Sequence, residues 1–150
     1  MHERQIANEI VNDAFLSLRQ VYRPIPEATM RQTQRADSDR VFLATIDELC
    51  VGTASVFHDG DHLNMYRIAV RPQFRQRGVA RSLISGTESI FRDHNRQPDA
   101  NFTLQTIRQT GNVTIFERLG FTVTDEQVAN WCVSDIHVKL HDVTMMKRIA

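Results

Sequence analysis

Val70–Leu83, "VRPQFRQRGVARSL", decides the reading of this chain. Four arginines, Arg71, Arg75, Arg77 and Arg81, gather around Gly78 directly after the apolar run "RIAV". Like charges at this spacing repel, so an anion outside the chain is the expected counterpart. The residues on either side say what kind of site this is. A strand ending at Val70 runs through a short turn into a helix that opens near Val79. Backbone N–H groups at a helix start have no internal partner, and the helix dipole favours negative charge there. Gly78 removes a side chain where an anion must approach the backbone closely, and Ala80 lets the helix lie near its neighbouring strand. A pyrophosphate suits such a nest.

Outward from that junction, the elements fall into order. Ile6, Ile10, Val11, Phe15, Leu18 and Val21 or Tyr22 recur on a three-to-four period, which predicts an amphipathic opening helix. It ends before "RPIP", where Pro24 and Pro26 remove donors and favour extended neighbours. A second short helix is expected from Pro26 through Met30, and polar Arg31–Arg40 reads as a loop or frayed helix end. Val41–Ile46, Cys50–Phe57 and Leu63–Val70 predict three consecutive antiparallel strands, with Asp59-Gly60 as a hairpin signal. Val79, Leu83, Ile84, Thr87, Ile90 and Phe91 form the face of the next helix. Asn101–Ile107 reads as a strand, and "GNVTIFERLGF" as a helix capped by Asn112 and stopped by Gly120. "FTVTDEQ" and "HDVTMMKRI" alternate like two closing strands. The fold class is therefore α/β, an α+β mixture with one mixed sheet and helices on its faces.

Composition narrows the function. At 150 residues, 41% hydrophobic and 24% charged, the expectation is one globular domain over residues 1–150. Eighteen basic residues balance eighteen acidic ones, which argues against a nucleic-acid-binding protein. Cys50 and Cys132 are far apart and in no CxxC pattern, as expected of reduced thiols in a cytoplasmic protein, although a disulfide between them stays open. No apolar run reaches about 18 residues, and the start lacks a signal peptide's apolar core; the reading is soluble, cytoplasmic and free of membrane partners. His58 with His62, and His137 with His141, come without a third clustered ligand, so no metal is expected, though either pair could line a substrate pocket. Trp131 and Cys132 read as core residues, with lining of an acceptor pocket as the lesser option.

Together these residues resemble the GNAT acyltransferase superfamily. Its signature is Arg/Gln-x-x-Gly-x-Gly/Ala at a strand-to-helix junction, which Arg75, Gly78 and Ala80 match in order and spacing. The "LGF" landmark is supplied by Leu119-Gly120-Phe121, and the element order agrees over nearly the whole chain. The family's usual first strand before the opening helix is short or missing. The resemblance implies a GNAT fold with a mostly antiparallel mixed sheet splayed at the donor site. It also implies N-acetyltransferase activity: direct transfer from acetyl-CoA, the acyl-donor substrate, to a primary amine acceptor. Backbone at Ile68, Ala69 and Val70 would take the pantetheine arm like an added strand. Gln76, Arg77, Gly78, Val79 and Ala80 would hold the pyrophosphate, with Arg71, Arg75 and Arg81 available for other phosphate contacts or for the surface. An N–H near Val70 would face the thioester oxygen.

The catalytic residues are less regular. Where many relatives carry a tyrosine acid, this chain has Phe116, which also falls at the donor site but holds no proton. Tyr66 is the first substitute for that acid, against packing as a half-buried strand tyrosine. Asn64 stands where some relatives have a glutamate base. Gln109 falls where relatives have a cofactor-contacting asparagine, against an ordinary loop glutamine. A non-catalytic acyl-CoA-binding or sensor domain is the alternative that Phe116 keeps open. Relatives are often dimers, which leaves a homodimer open.

Overall fold

A computed structural model describes residues 2–28, 40–59, 62–94 and 100–149. The fold is mixed α/β, and the chain forms two compact units. The first comprises Met1–Phe15, Arg40–Phe102 and Arg148–Ala150; the second comprises Leu16–Asp39 and Thr103–Lys147.

The first unit begins with helix α1 (His2–Phe15), which buries Ala7, Ile10, Val11 and Ala14. These recur at three- and four-residue steps and form one apolar stripe. Strands β2 (Arg40–Ile46), β3 (Leu49–Asp59) and β4 (His62–Val70) make the expected antiparallel meander. Asp47 and Glu48 join β2 to β3, both with positive φ, 50° and 70°. Two left-handed residues are what a two-residue hairpin loop needs to match strand twist. β3 and β4 pair as far as Asp59 opposite His62; the expected turn residue Gly60 lies outside the described residues. The polar stretch at 31–39 and the end of the expected second helix at Met30 lie outside them too, while residues 26–28 are helical.

Helix α2 (Val79–His94) buries Val79, Leu83, Ile84, Thr87 and Phe91. Ile90, expected on the same face, is 37% exposed. The two helices take opposite faces of the meander. Ile10, Val11 and Ala14 of α1 pack with Ala69 and Leu43. On the other face Phe91 of α2 meets Phe42 and His58 edge-to-face, at 6.1 and 5.9 Å between ring centroids.

The second unit contains β5 (Asn101–Ile107) from Thr103 onward, helix α3 (Asn112–Arg118), β6 (Thr122–Val128) and β8 (His141–Arg148) as far as Lys147. Its strands lie in the order β5–β8–β6, with β6 and β8 antiparallel. Gly120 follows α3 with φ of 100°, the left-handed stop expected there. The expected Asn112 cap is not formed. Left-handed Gly111 occupies the cap position, and the Asn112 N–H donates to Thr110 Oγ1 at 3.3 Å. A two-stranded ribbon, β1 (Arg23–Pro24) against β7 (Cys132–Val133), was not expected. Two-residue strands carry no periodic signal.

Cys132 is a core residue here, packed with Ile107 and Leu140, while Tyr22, Ala129 and Trp131 lie against them. Both cysteines are free thiols. Burial, with Asp142 nearby, pushes the Cys132 thiol up to about 11. Thiol labelling at pH 8 should therefore modify half-buried Cys50 at least about tenfold faster than Cys132, as peptide mapping would show. Trp131 Nε1 donates to Asp142 Oδ2 at 3.0 Å, and its ring meets Tyr22 edge-to-face at 5.6 Å. Burial raises the Asp142 carboxyl above its ordinary range, opposed by the Trp131 bond. The folded state then binds this proton more tightly than the unfolded chain. The stabilisation it supplies is complete below the unfolded value and is lost as pH rises through the folded one. Trp131 is the one tryptophan in the chain, so its emission should titrate with a midpoint above 3.8, and Asp142→Asn should abolish that titration.

Candidate active site

The arginine–glycine junction is built entirely within the first unit. β4 ends at Val70, a single 3-10 turn spans Pro72–Phe74, and α2 opens at Val79. Between them Gln76 and Gly78 both take left-handed conformations, with φ of 64° and 75°. The first helical hydrogen bond runs from Ser82 N–H to the Gly78 carbonyl at 3.0 Å. The N–H groups of Val79, Ala80 and Arg81 thus precede the first intrahelical donor. Alternation of left-handed residues with their neighbours makes a concave run of amides, the kind of nest that binds anions. A Cβ built at Gly78 would meet no protein atom within 4 Å. The glycine answers to its φ and to whatever occupies the space outside, and to no packing demand from the protein.

Close approach is demanded instead at Gly52, which the sequence did not single out. A Cβ there would stand 2.7 Å from Val79 Cγ1, 3.1 Å from Leu83 Cδ1 and 3.3 Å from the Ala69 carbonyl oxygen. Gly52 pairs with Val70 across the β3–β4 ladder. It therefore lets the first turn of α2 settle directly on the strands that precede the nest. An isolated glycine inside an apolar strand is the signal that would have located it.

The four arginines divide. Arg71 Nε donates to the Cys50 carbonyl at 3.1 Å, and its Nη1 lies 3.3 Å from Asp13 Oδ2. Arg75 Nη2 donates to the Ala14 carbonyl at 2.9 Å, placing a cation on the last turn of α1, where the helix dipole is negative. Arg77 lies over the Phe74 ring, 5.3 Å from its centroid, and Arg81 is exposed on the first turn of α2. Part of the crowding is thus compensated by α1, so the arginines tie the junction to that helix as well as making it positive. Arg71→Ala should lower stability by about 1–3 kcal/mol, read by chemical denaturation, because it leaves a half-buried carboxylate and a carbonyl without their donor.

Upstream, β4 carries a bulge. Thr53 pairs with Ala69 and Ser55 with Tyr66, so Arg67 and Ile68 together face the single residue Ala54. Arg67 takes a φ of 50° to make this possible. Beyond the bulge, Arg71 N–H donates to the Val51 carbonyl at 2.8 Å. Strand amides alternate in direction, so the N–H of Val70 is directed away from β3. Before the bulge, Asn64 and Tyr66 share one sheet face, both half-buried, and Tyr66 meets Phe57 edge-to-face at 5.7 Å.

Gln109 and Phe116 belong to the second unit. Gln109 Oε1 accepts the His141 backbone N–H at 3.0 Å, and its Nε2 lies 3.1 Å from His141 Nδ1. Phe116 is half-buried and packs edge-to-face on Phe121 at 5.9 Å. Among the described residues, no group of three or more His, Cys, Asp or Glu side chains comes together, and no helix is long and apolar enough to cross a membrane.

Comparison with solved structures shows which fold this is. The ribosomal-protein-S18-alanine N-acetyltransferase of Escherichia coli superposes with a TM-score of 0.72 at 18% identity, over 97% of this chain and 87% of that one. The yncA protein of Salmonella typhimurium, solved with its cofactor acetyl-CoA, gives 0.59 at 17% identity, over 83% and 72%. A protein assigned as a streptothricin acetyltransferase from Bacillus anthracis, in complex with acetyl coenzyme A, gives 0.62 at 14% identity; this chain spans 62% of its length, with 73% of its own residues covered. A search of curated proteins found no match. The acetyltransferase (GNAT) domain model matches residues 6–140, in agreement with the strand–nest–helix junction, and the chain belongs to the GNAT acetyltransferase family.

Proposed function

We propose that this protein transfers an acetyl group from acetyl-CoA to a primary amine by direct attack. The observation that carries the reading is the amide nest at Gln76–Ala80, with left-handed Gln76 and Gly78 opening helix α2. Those amides hold the donor's pyrophosphate, and Arg77 and Arg81 add positive charge beside it. Ile68, Ala69 and Val70 bind the pantetheine arm through their backbone. The Val70 N–H, directed away from β3, serves as the oxyanion donor. In the reaction the neutral amine attacks the thioester carbon, a C–N bond forms, and the C–S bond breaks to release the coenzyme A thiolate. The amine's extra proton passes to water, since Asn64 cannot accept it. The thiolate leaves with the Tyr66 hydroxyl or water as acid, as a thiol pKa near 8.5 permits. The family resemblance assigns Gln109 and Phe116 to the donor as well, in roles without proton chemistry. The protein works in the cytoplasm and acts alone or as a homodimer.

A binding-only reading is favoured by one observation, the proton-free Phe116. The discriminating experiment follows coenzyme A thiol release from acetyl-CoA against a panel of amines, with acetylated product identified by mass spectrometry. Amine-dependent release supports the enzyme. Tight acetyl-CoA binding with no release above the rate without protein establishes the sensor reading instead.

A further inference from the structure

Arg67 is the residue that the first unit's packing leaves unexplained. It sits on the β4 bulge with a φ of 50°, a conformation that costs a long L side chain about 1–2 kcal/mol and that glycine or asparagine would adopt more cheaply. The residue is half-buried, and the hydrogen bond of its guanidinium is exposed and goes to a neutral group: Nη2 donates to Asn8 Oδ1 of α1 at 2.7 Å. The other arginine of this strand end with a comparable position, Arg71, has Asp13 beside it; among the described residues no carboxylate pairs with Arg67. Burial accordingly lowers the Arg67 guanidinium below the ordinary arginine range. A partly desolvated cation with no anion among the described residues, held in a strained backbone, is costly twice over. Strain of this kind persists where the exact placement of a side chain is used.

Its position says what the missing anion belongs to. Arg67 lies three residues before the end of β4, about 10 Å up the strand at ~3.3 Å per residue. The nest begins at Gln76, beyond that end, so the donor's phosphates are accounted for elsewhere. The bulge brings Arg67 directly after Tyr66 and onto α1's side of the sheet. Asn8 steadies one nitrogen, while Nε and Nη1 have no partner among the described residues. A planar fork with free donors matches a carboxylate or phosphate bidentately.

We propose that Arg67 binds an oxyanion carried by the acceptor, so that the acceptor is an amine bearing a carboxylate or a phosphate, such as a free amino acid or a phosphorylated amino alcohol. The proposal rests on the acetyl-transfer reading above and specifies its substrate class. It is tested on protein loaded with coenzyme A, by thermal unfolding with amino acids against their carboxamides and with phosphoethanolamine against ethanolamine. Wild type should be stabilised by the oxyanion member of at least one pair and not by its neutral counterpart; which pair responds tells carboxylate from phosphate. Arg67→Asn, suited to positive φ, should unfold no earlier than wild type, keep the full acetyl-CoA shift, and weaken oxyanion binding by about tenfold or more. Arg67→Lys, which keeps charge but loses the fork, should fall between them. Equal responses to acid and amide, or unchanged discrimination in Arg67→Asn, overturn the proposal while the acetyl-CoA shift remains intact. Loss of the acetyl-CoA shift in wild type overturns the acetyl-transfer reading itself, and this one with it.

Discussion

Gly78→Glu should abolish acetyl-CoA binding and leave the protein folded. Space for a side chain exists, since no protein atom lies within 4 Å of a Cβ at this position. The substitution imposes two penalties. A φ of 75° strains any L side chain by about 1–2 kcal/mol, and a carboxylate is placed where the donor's phosphates must sit. Saturating ligand at a hundredfold over its dissociation constant stabilises wild type by about 2.7 kcal/mol. That corresponds to a rise of about 5–10 °C in Tm for a domain this size. Gly78→Glu should show none of it. Gly78→Ala separates the two penalties: it should lose about 1 kcal/mol of stability yet keep a measurable acetyl-CoA shift. Equal shifts in wild type and Gly78→Glu would mean that the nest holds no phosphate.

Gly52→Val should be more damaging to the fold than any change at the nest. Its Cβ alone would sit 2.7 Å from Val79 Cγ1, closer than real carbon contacts permit, and the two further methyl groups have nowhere to go. Overpacking of this kind costs about 1–3 kcal/mol, or more where backbone must shift. Here one neighbour is the Ala69 carbonyl, which cannot swing aside. Tm should fall by about 3–10 °C. Because Val79 is also the first helical residue after the nest, acetyl-CoA affinity should fall in parallel. A variant with wild-type Tm and weakened acetyl-CoA binding would contradict the packing account.

Much of this architecture is legible in the sequence where a period exists to be read. The three-to-four period of Ile6, Ile10, Val11 and Phe15, and of Val79, Leu83 and Phe91, located both long helices. Alternation and turn residues located the meander and the closing strands. The features that were not legible depend on meetings between distant residues. Nothing local indicates that Pro24 pairs with Cys132, or that Arg75 reaches back to the α1 carbonyl of Ala14. A cluster of arginines announces positive charge; it does not say that Arg71 has already been matched by Asp13. Asn112 looked like a cap because of its residue type, but the left-handed Gly111 before it and the Thr110 hydroxyl took over that work. The bulge at Arg67 left no mark either, because arginine is not a residue one expects at positive φ. That mismatch between residue type and conformation is visible only in the structure, and it is what points to a ligand.

The central claim is that the junction from Val70 to Arg81 holds acetyl-CoA, and thermal unfolding of the wild-type protein with and without acetyl-CoA tests it most directly. The account predicts a saturable rise in Tm of several degrees. An unchanged Tm at millimolar acetyl-CoA would contradict it.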